Sequence, residues 1–134
     1  MSNKSEGNNF ERIFCETLFK YGFWVHNMAQ NKAGQPADII AVKNKKAYLI
    51  DCKECKNNIF PFSRIESNQH TAMKLWKYSG NGHGVFALRL NDGRIYMIAH
   101  DLMIALSINQ SSMGENLISH YGTPLESWVE LCST

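Results

Sequence analysis

Two short apolar segments around a basic turn constrain the fold of this 134-residue chain more than any other feature. Residues 37–42 (Ala-Asp-Ile-Ile-Ala-Val) and 48–54 (Tyr-Leu-Ile-Asp-Cys-Lys-Glu) flank the sequence Lys-Asn-Lys-Lys at 43–46, which predicts a β-hairpin. In an antiparallel pair, the start of one strand faces the end of its partner. We therefore expect Asp38 and Asp51 to lie close together.

The second segment carries an acid-x-Lys triplet, Asp51-Cys52-Lys53. Because side chains alternate along a strand, Asp51 and Lys53 share a face and Cys52 points the other way. Two acids and a lysine at one end of a hairpin are what a metal-dependent phosphodiesterase site requires. The alternative is a surface ion pair worth under ~1 kcal/mol. Asp51 interrupts an apolar run, and a buried carboxylate needs a partner, which favours the site.

The composition is that of one globular domain. Hydrophobic residues make up 44% and charged residues 19%, which excludes general disorder. No apolar run approaches the ~20 residues of a membrane span, and residues 1–9 lack the apolar region of a signal peptide. We expect a single domain over 1–134 with a mobile tail (1–7), a core (8–100) and a C-terminal helical extension (101–134). We also expect a cytoplasmic location, in a bacterial, archaeal or phage-infected cell, and no membrane partner.

Basic residues are distributed unevenly. All 14 Lys and Arg lie in residues 1–100 beside eight acids, whereas residues 101–134 carry four acids and no Lys or Arg. A basic body suits a polyanionic partner such as nucleic acid, although solubility alone is the other explanation. The candidate contacts are basic residues of the connecting segments: Lys32, Lys43, Lys45, Lys46, Lys56 and Arg64.

The cysteines do not predict a zinc site. Cys52-x-x-Cys55 has no second pair, and the five histidines show no matching spacing. Cys15 and Cys52 suit small buried positions.

The first helix is expected from Asn8 or Asn9 to Tyr21, ending at Gly22. On a helical wheel, Glu11 falls at the edge of the apolar stripe, where its side chain can reach a site, and Glu16 falls further towards solvent. The alternative for each is an ordinary surface glutamate.

A second helix is expected after the connection at 56–62. Ser63-x-x-Glu66 fits a capping box, and the helix should continue to about Ser79. Gln69 heads an otherwise apolar stripe, which indicates that it faces the sheet.

The remaining pattern completes a mixed sheet flanked by helices. Residues 23–26 suit a first strand, and strands at 85–90 and 94–99 flank an Asn-Asp-Gly turn. Asp101 suits the cap of a short helix over 102–106, and a weak helix is expected at 115–120.

These residues resemble the signature of PD-(D/E)XK nucleases. Asp38 is followed thirteen residues on by Asp51-Cys52-Lys53, with Ala37 where the signature has proline. A helix with an acid precedes the motif, and a helix with Gln69 follows it.

Further residues resemble two groups of Holliday junction resolvases. The first helix, with Glu11 at the acid position, resembles that of archaeal Hjc-type resolvases. Asp51–Glu54, Phe60–Phe62 and Asn68-Gln69 resemble the centre of bacterial RecU resolvases.

The resemblance implies an α/β, restriction-endonuclease-like core acting as a homodimer on branched double-stranded DNA. It implies Mg²⁺, replaceable by Mn²⁺, bound by Asp38, Asp51 and the backbone carbonyl of Cys52, with Glu11 helping directly or through water. It implies that Lys53 orients or activates the attacking water. The implied catalytic set is Glu11, Asp38, Asp51, Lys53 and Gln69.

Two departures keep alternatives open. RecU proteins carry a long stalk where this chain has only Asn27–Pro36, and the triplet acid is Asp51 rather than the Glu usual in those resolvases. The alternatives are another PD-(D/E)XK nuclease, of the replication-repair, VRR-like or restriction type, or a catalytically silent DNA-binding module on the same fold. The intact acid, lysine and glutamine set argues against a silent module.

Overall fold

The computed structural model describes residues 3–28 and 37–134. In these residues the helices are α1 (Asn3–Lys20), α2 (Ser67–Tyr78), α3 (His100–Ser107), α4 (Glu115–Tyr121) and α5 (Leu125–Cys132). The strands are β1 (Trp24–Asn27), β2 (Ile39–Lys43), β3 (Lys46–Glu54), β4 (Phe60–Pro61), β5 (Val85–Arg89), β6 (Ile95–Ala99), β7 (Ser112–Met113) and β8 (Thr123–Pro124). Short 3₁₀ turns cover Lys56–Asn58 and Phe62–Arg64.

The described strands form a six-stranded sheet in the order β1-β2-β3-β5-β6-β8 and a separate β4–β7 pair. β3 and β5 run parallel, and the other neighbours in the large sheet run antiparallel. The predicted mixed sheet with flanking helices is therefore confirmed.

Alternation along β3 divides the core between the two faces of the sheet. Leu49 packs with α2, α3 and α4, through residues such as Met73, whereas Ile50 packs with α1 and α5, through residues such as Phe14. The central strand is thus covered on both sides, which explains why its sequence is nearly continuous in apolar residues.

The predicted central hairpin is confirmed, and its register fixes the site. Asn44 and Lys45 have φ values of 52° and 68°, as a tight hairpin turn requires. Ile39 pairs with Ile50, so the preceding residue, Asp38, lies beside Asp51.

The start of α1 differs from the prediction. The helix begins at Asn3 rather than at Asn8 or Asn9, so residues 3–7 of the expected mobile tail are helical. This polar segment has no apolar stripe, and the periodic pattern therefore could not detect it. The predicted end is confirmed, since Gly22 has a φ of 91° and the Phe23 N–H donates to the carbonyl of Leu18.

The start of α2 also differs. Ser63 lies in a 3₁₀ turn, and the capping box is formed instead by Glu66 and Gln69. The turn is held by the Phe62 N–H, which donates to the carbonyl of Ser111 at 2.9 Å. Asp101 is likewise not a cap: α3 begins at His100, and the Asp101 carboxylate accepts the Leu102 N–H at 2.8 Å inside the first turn.

The C-terminal third is built into the core. β8 pairs with β6, and α5 packs on the α1 side of the sheet, where Trp128 stacks on Phe23 with ring centroids 5.8 Å apart. The weak helix predicted at 115–120 is confirmed as α4. Among the described residues, no helix has the length and apolar character to cross a membrane.

Candidate active site

The paired ends of β2 and β3 bring the two aspartates and the lysine together. The Cys52 N–H donates to Asp38 Oδ2 at 2.8 Å, and Lys53 Nζ lies 3.1 Å from Asp51 Oδ2. The Asp51 side chain is only 1% exposed. The surface ion pair considered from the sequence is therefore wrong, because the pair lies inside the protein.

Gln69 joins this cluster from α2. Its Nε2 donates to Asp51 Oδ1 at 3.1 Å, and its Oε1 accepts the Glu66 N–H at 3.3 Å. The same amide thus closes the helix cap and contacts the aspartate. That Gln69 faces the sheet is confirmed. The sequence did not predict that Glu66 is the N-cap and binds Gln69, because the preceding Ser63-x-x-Glu66 pattern placed the cap at Ser63.

Glu11 reaches the cluster from α1. Burial raises the pKa of Glu11 to about 7, helped by the negative charge of Asp38 and a side-chain hydrogen bond with it. Glu16, one turn further along, is exposed and pairs with Arg12 at 2.9 Å. The predicted difference between the two glutamates is confirmed.

The cluster carries more negative charge than its lysine balances. Burial, together with the charge of Asp38, raises the pKa of Asp51 to about 8 despite the opposing effect of Lys53. Asp51 Oδ2 is buried, and no described residue gives it a hydrogen bond of normal geometry, although the Lys53 ammonium lies at ion-pair distance. A group with this excess of carboxylates could hold a cation.

The donor types fit Mg²⁺ better than a thiophilic metal. Within 3–28 and 37–134, no three His, Cys, Asp or Glu side chains form a ready metal-binding group. Mg²⁺ needs only one or two carboxylates and retains several waters. Burial and the neighbouring charges of Asp38 and Asp51 raise the pKa of the Cys52 thiol well above 9.0, which disfavours the thiolate that a thiophilic metal binds. The oxygen donor that Cys52 can offer is its backbone carbonyl.

The predicted DNA-contact residues fall into two groups. Lys43, Lys45 and Lys46 lie at the turn of the central hairpin, away from the aspartates, with Lys43 Nζ donating to the carbonyl of Tyr21 at 2.6 Å. Lys56 and Arg64 follow the end of β3 that carries the cluster. Lys32 lies outside the described residues.

A second ion pair adjoins the cluster and was not predicted. Arg89 on β5 pairs with Glu54 at 2.5 Å, and its guanidinium lies 4.4 Å from the ring centroid of Phe10. Phe10 precedes Glu11, so this contact ties α1 to the ends of β3 and β5. The sequence does not predict this ion pair, because Glu54 and Arg89 become neighbours only through the parallel pairing of β3 and β5.

This arrangement defines a restriction-endonuclease-like nuclease. It combines a mixed sheet with an acid on the first helix, two acids and a lysine on a hairpin, and a glutamine on the next helix. Solved structures agree on the fold. Hjc of Archaeoglobus fulgidus, a Holliday junction resolvase, is 17% identical, with 93% of this chain and 96% of that chain covered and a TM-score of 0.71. The bacterial homing endonuclease I-Ssp6803I is 10% identical, with 98% and 94% covered and a TM-score of 0.68.

The family follows from the sequence as a whole. No curated protein matches the chain significantly. The family model for archaeal Holliday junction resolvases (Hjc) matches residues 2–132, and the chain belongs to this family. The predicted class, a nuclease that resolves Holliday junctions, is thereby confirmed over the other PD-(D/E)XK types and over the silent module.

Proposed function

We propose that this protein hydrolyses phosphodiester bonds at four-way DNA junctions with Mg²⁺ as cofactor and Glu11, Asp38, Asp51, Lys53 and Gln69 as its catalytic residues. The observation that carries the proposal is the gathering of three carboxylates around one lysine, with the pKa values of Asp51 and Glu11 raised to about 8 and about 7. Such a group is unfavourable alone and favourable around a divalent cation.

The metal ligands we propose are Asp38, Asp51 and the backbone carbonyl of Cys52, with Glu11 acting directly or through water. Bound Mg²⁺ supplies charge neutralisation at the phosphate and a template for the attacking water. Mn²⁺, which also prefers oxygen ligands, should substitute.

Lys53 acts as a hydrogen-bond donor. Its ammonium is paired with Asp51, and the Lys53 side chain is 12% exposed, so the side chain is held in place and keeps some access to a substrate. We propose that it orients the attacking water and stabilises the charge that develops on the phosphate. Gln69, with one end fixed by the Glu66 N–H, keeps Asp51 in position and can align the water.

A homodimer is the assembly that fits a four-way junction, because two equivalent strands must be cut. We propose that the exposed lysines of the hairpin turn, Lys45 and Lys46, and Lys56 and Arg64 beside the cluster contact the DNA backbone in each subunit. Lys43 and Lys32 belong to the same proposal.

The test uses a four-way junction, a fork and a linear duplex of matched sequence with Mg²⁺. Paired nicks in the junction alone support the proposal, and equal cutting of the duplex contradicts it. Glu11→Gln should lower both cleavage and Mn²⁺ affinity, measured by calorimetry, while the matched control Glu16→Gln on the same helix should change neither. Equal behaviour of the two variants removes Glu11 from the site.

A further inference from the structure

Trp24 on β1 has no part in the cluster, and its environment is unusual for this residue type. Its side chain is 61% exposed, and its ring stacks on that of His26, with centroids 6.3 Å apart and planes 14° from parallel. Most tryptophan surface in a folded protein is buried. A tryptophan supported on one face by another ring offers its opposite face as a flat apolar surface.

The Trp24–His26 stack lies on a defined face of the sheet. Phe23 and Val25 pack beneath α1, so the alternating residues Trp24 and His26 point to the other face. Trp24 pairs with Val42 and His26 with Ile40. Ile40 is two residues from Asp38, which directly precedes β2, so this face is continuous with the cluster.

The length and charge of this face suit a DNA strand. The extended chain from Asp38, which directly precedes β2, to Lys43 at the turn spans about 17 Å, which is roughly five base pairs at 3.4 Å each. The described segments β1 and β2 contain no acidic residue, and the exposed Lys45 and Lys46 follow at the turn. A polyanion placed at the aspartates can therefore run along β2 without meeting a carboxylate.

We propose that Trp24, supported by His26, is a stacking platform for a nucleobase exposed at the branch point of the junction. The inference rests on the proposed function, since it places the scissile phosphate at Asp38 and Asp51. Bases in a continuous duplex cover one another, whereas a branch point can open the face of a base pair. Aromatic stacking on a base is sequence-tolerant and contributes substantially to binding. The platform therefore favours branched over linear DNA without reading its sequence.

Binding constants in Ca²⁺, for the junction and for a linear duplex, test the platform. Trp24→Ala should weaken junction binding about tenfold and leave duplex binding unchanged, and Trp24→Phe should retain most of the affinity. The matched control is Tyr78→Ala, because Tyr78 on α2 is 78% exposed. A 2-aminopurine beside the branch point should be quenched by the unmodified protein and not by Trp24→Ala.

Three results overturn the platform. These are equal junction affinity for Trp24→Ala and Tyr78→Ala, equal loss on junction and duplex, and a change from dimer to monomer in light scattering of Trp24→Ala. The last result would make this face a contact with a second copy. If the unmodified protein itself binds junction and duplex alike, the proposed function fails instead, so the two failures are distinguishable.

Discussion

Gly84→Ala tests how closely α2 must approach the sheet to place Gln69. A Cβ on Gly84 would lie 2.5 Å from Met73 Cγ, 2.6 Å from Sδ and 2.9 Å from Cβ. Met73 is fully buried, and two of the three atoms are close to its backbone. A rotamer change of the side-chain end therefore cannot relieve the overlap, and the helix itself must move.

The expected cost is that of overpacking a core, about 1–3 kcal/mol. For a chain of this size, about 1 kcal/mol lowers Tm by roughly 4 °C, so Tm should fall by about 4–12 °C. Met73 is one helical turn beyond Gln69, so displacement of α2 should also lengthen the 3.1 Å contact between Gln69 and Asp51 and slow junction cleavage.

Thermal unfolding and single-turnover cleavage measure the two effects. Gly82→Ala is the matched control, because a Cβ there meets nothing within 4 Å and Tm should not change. The double variant Gly84→Ala/Met73→Ala should be less destabilised than the sum of the single changes, since alanine at position 73 lacks the two atoms, Cγ and Sδ, that overlap most. Equal Tm values for the two glycine variants, or additive effects with Met73→Ala, would refute the reasoning.

Other predictions concern the cap, the chemistry and the assembly. Glu66→Ala should cost about 1 kcal/mol, because the Glu66 side chain no longer accepts the backbone N–H of Gln69, while Ser63→Ala leaves Tm unchanged; the reverse order would restore the cap expected from the sequence. Asp51→Asn should abolish cleavage and keep junction binding in a gel-shift assay, and residual cutting would remove Asp51 from the chemistry. Light scattering should give twice the 15.3 kDa mass of the chain, and a stable monomer would contradict the homodimer.

The grouping of Asp38, Asp51 and Lys53 could be predicted from the sequence, because the residues that indicate it lie within one hairpin. A carboxylate within a buried strand needs compensation, so Asp51 stands out in its apolar run. The register of the hairpin then places Asp38 beside Asp51. Glu11 and Gln69 follow from their positions on helical stripes, which depend on one segment each.

What could not be predicted depends on distant partners. The position of the α2 cap is decided by Phe62, whose N–H is bound by Ser111, and no local pattern near Ser63 contains that information. The packing of Trp128 on Phe23 joins the two ends of the chain in the same way. The exposure of Trp24 could not be predicted for another reason, because an aromatic residue in a short strand gives the same sequence pattern whether a neighbour buries it or leaves it exposed.

The cluster should make the metal-free protein less stable as the pH rises. The pKa of Asp51 is raised from 3.8 to about 8, by burial first and by the Asp38 charge second. Below pH 3.8 both folded and unfolded states hold the proton. Between the two values the unfolded state releases it first, so the free energy of unfolding falls with pH, by at most ~1.4 kcal/mol per pH unit for one proton.

Denaturant unfolding in EDTA from pH 5 to 8 should show this fall. Asp51→Asn should make the fall smaller and leave the part due to Glu11, whose pKa is also raised, to about 7. Asp101→Asn should not change the fall, and Mg²⁺ should restore stability at pH 8 by binding the folded state. A metal-free protein whose stability does not change over this range would mean that the cluster carries no excess charge.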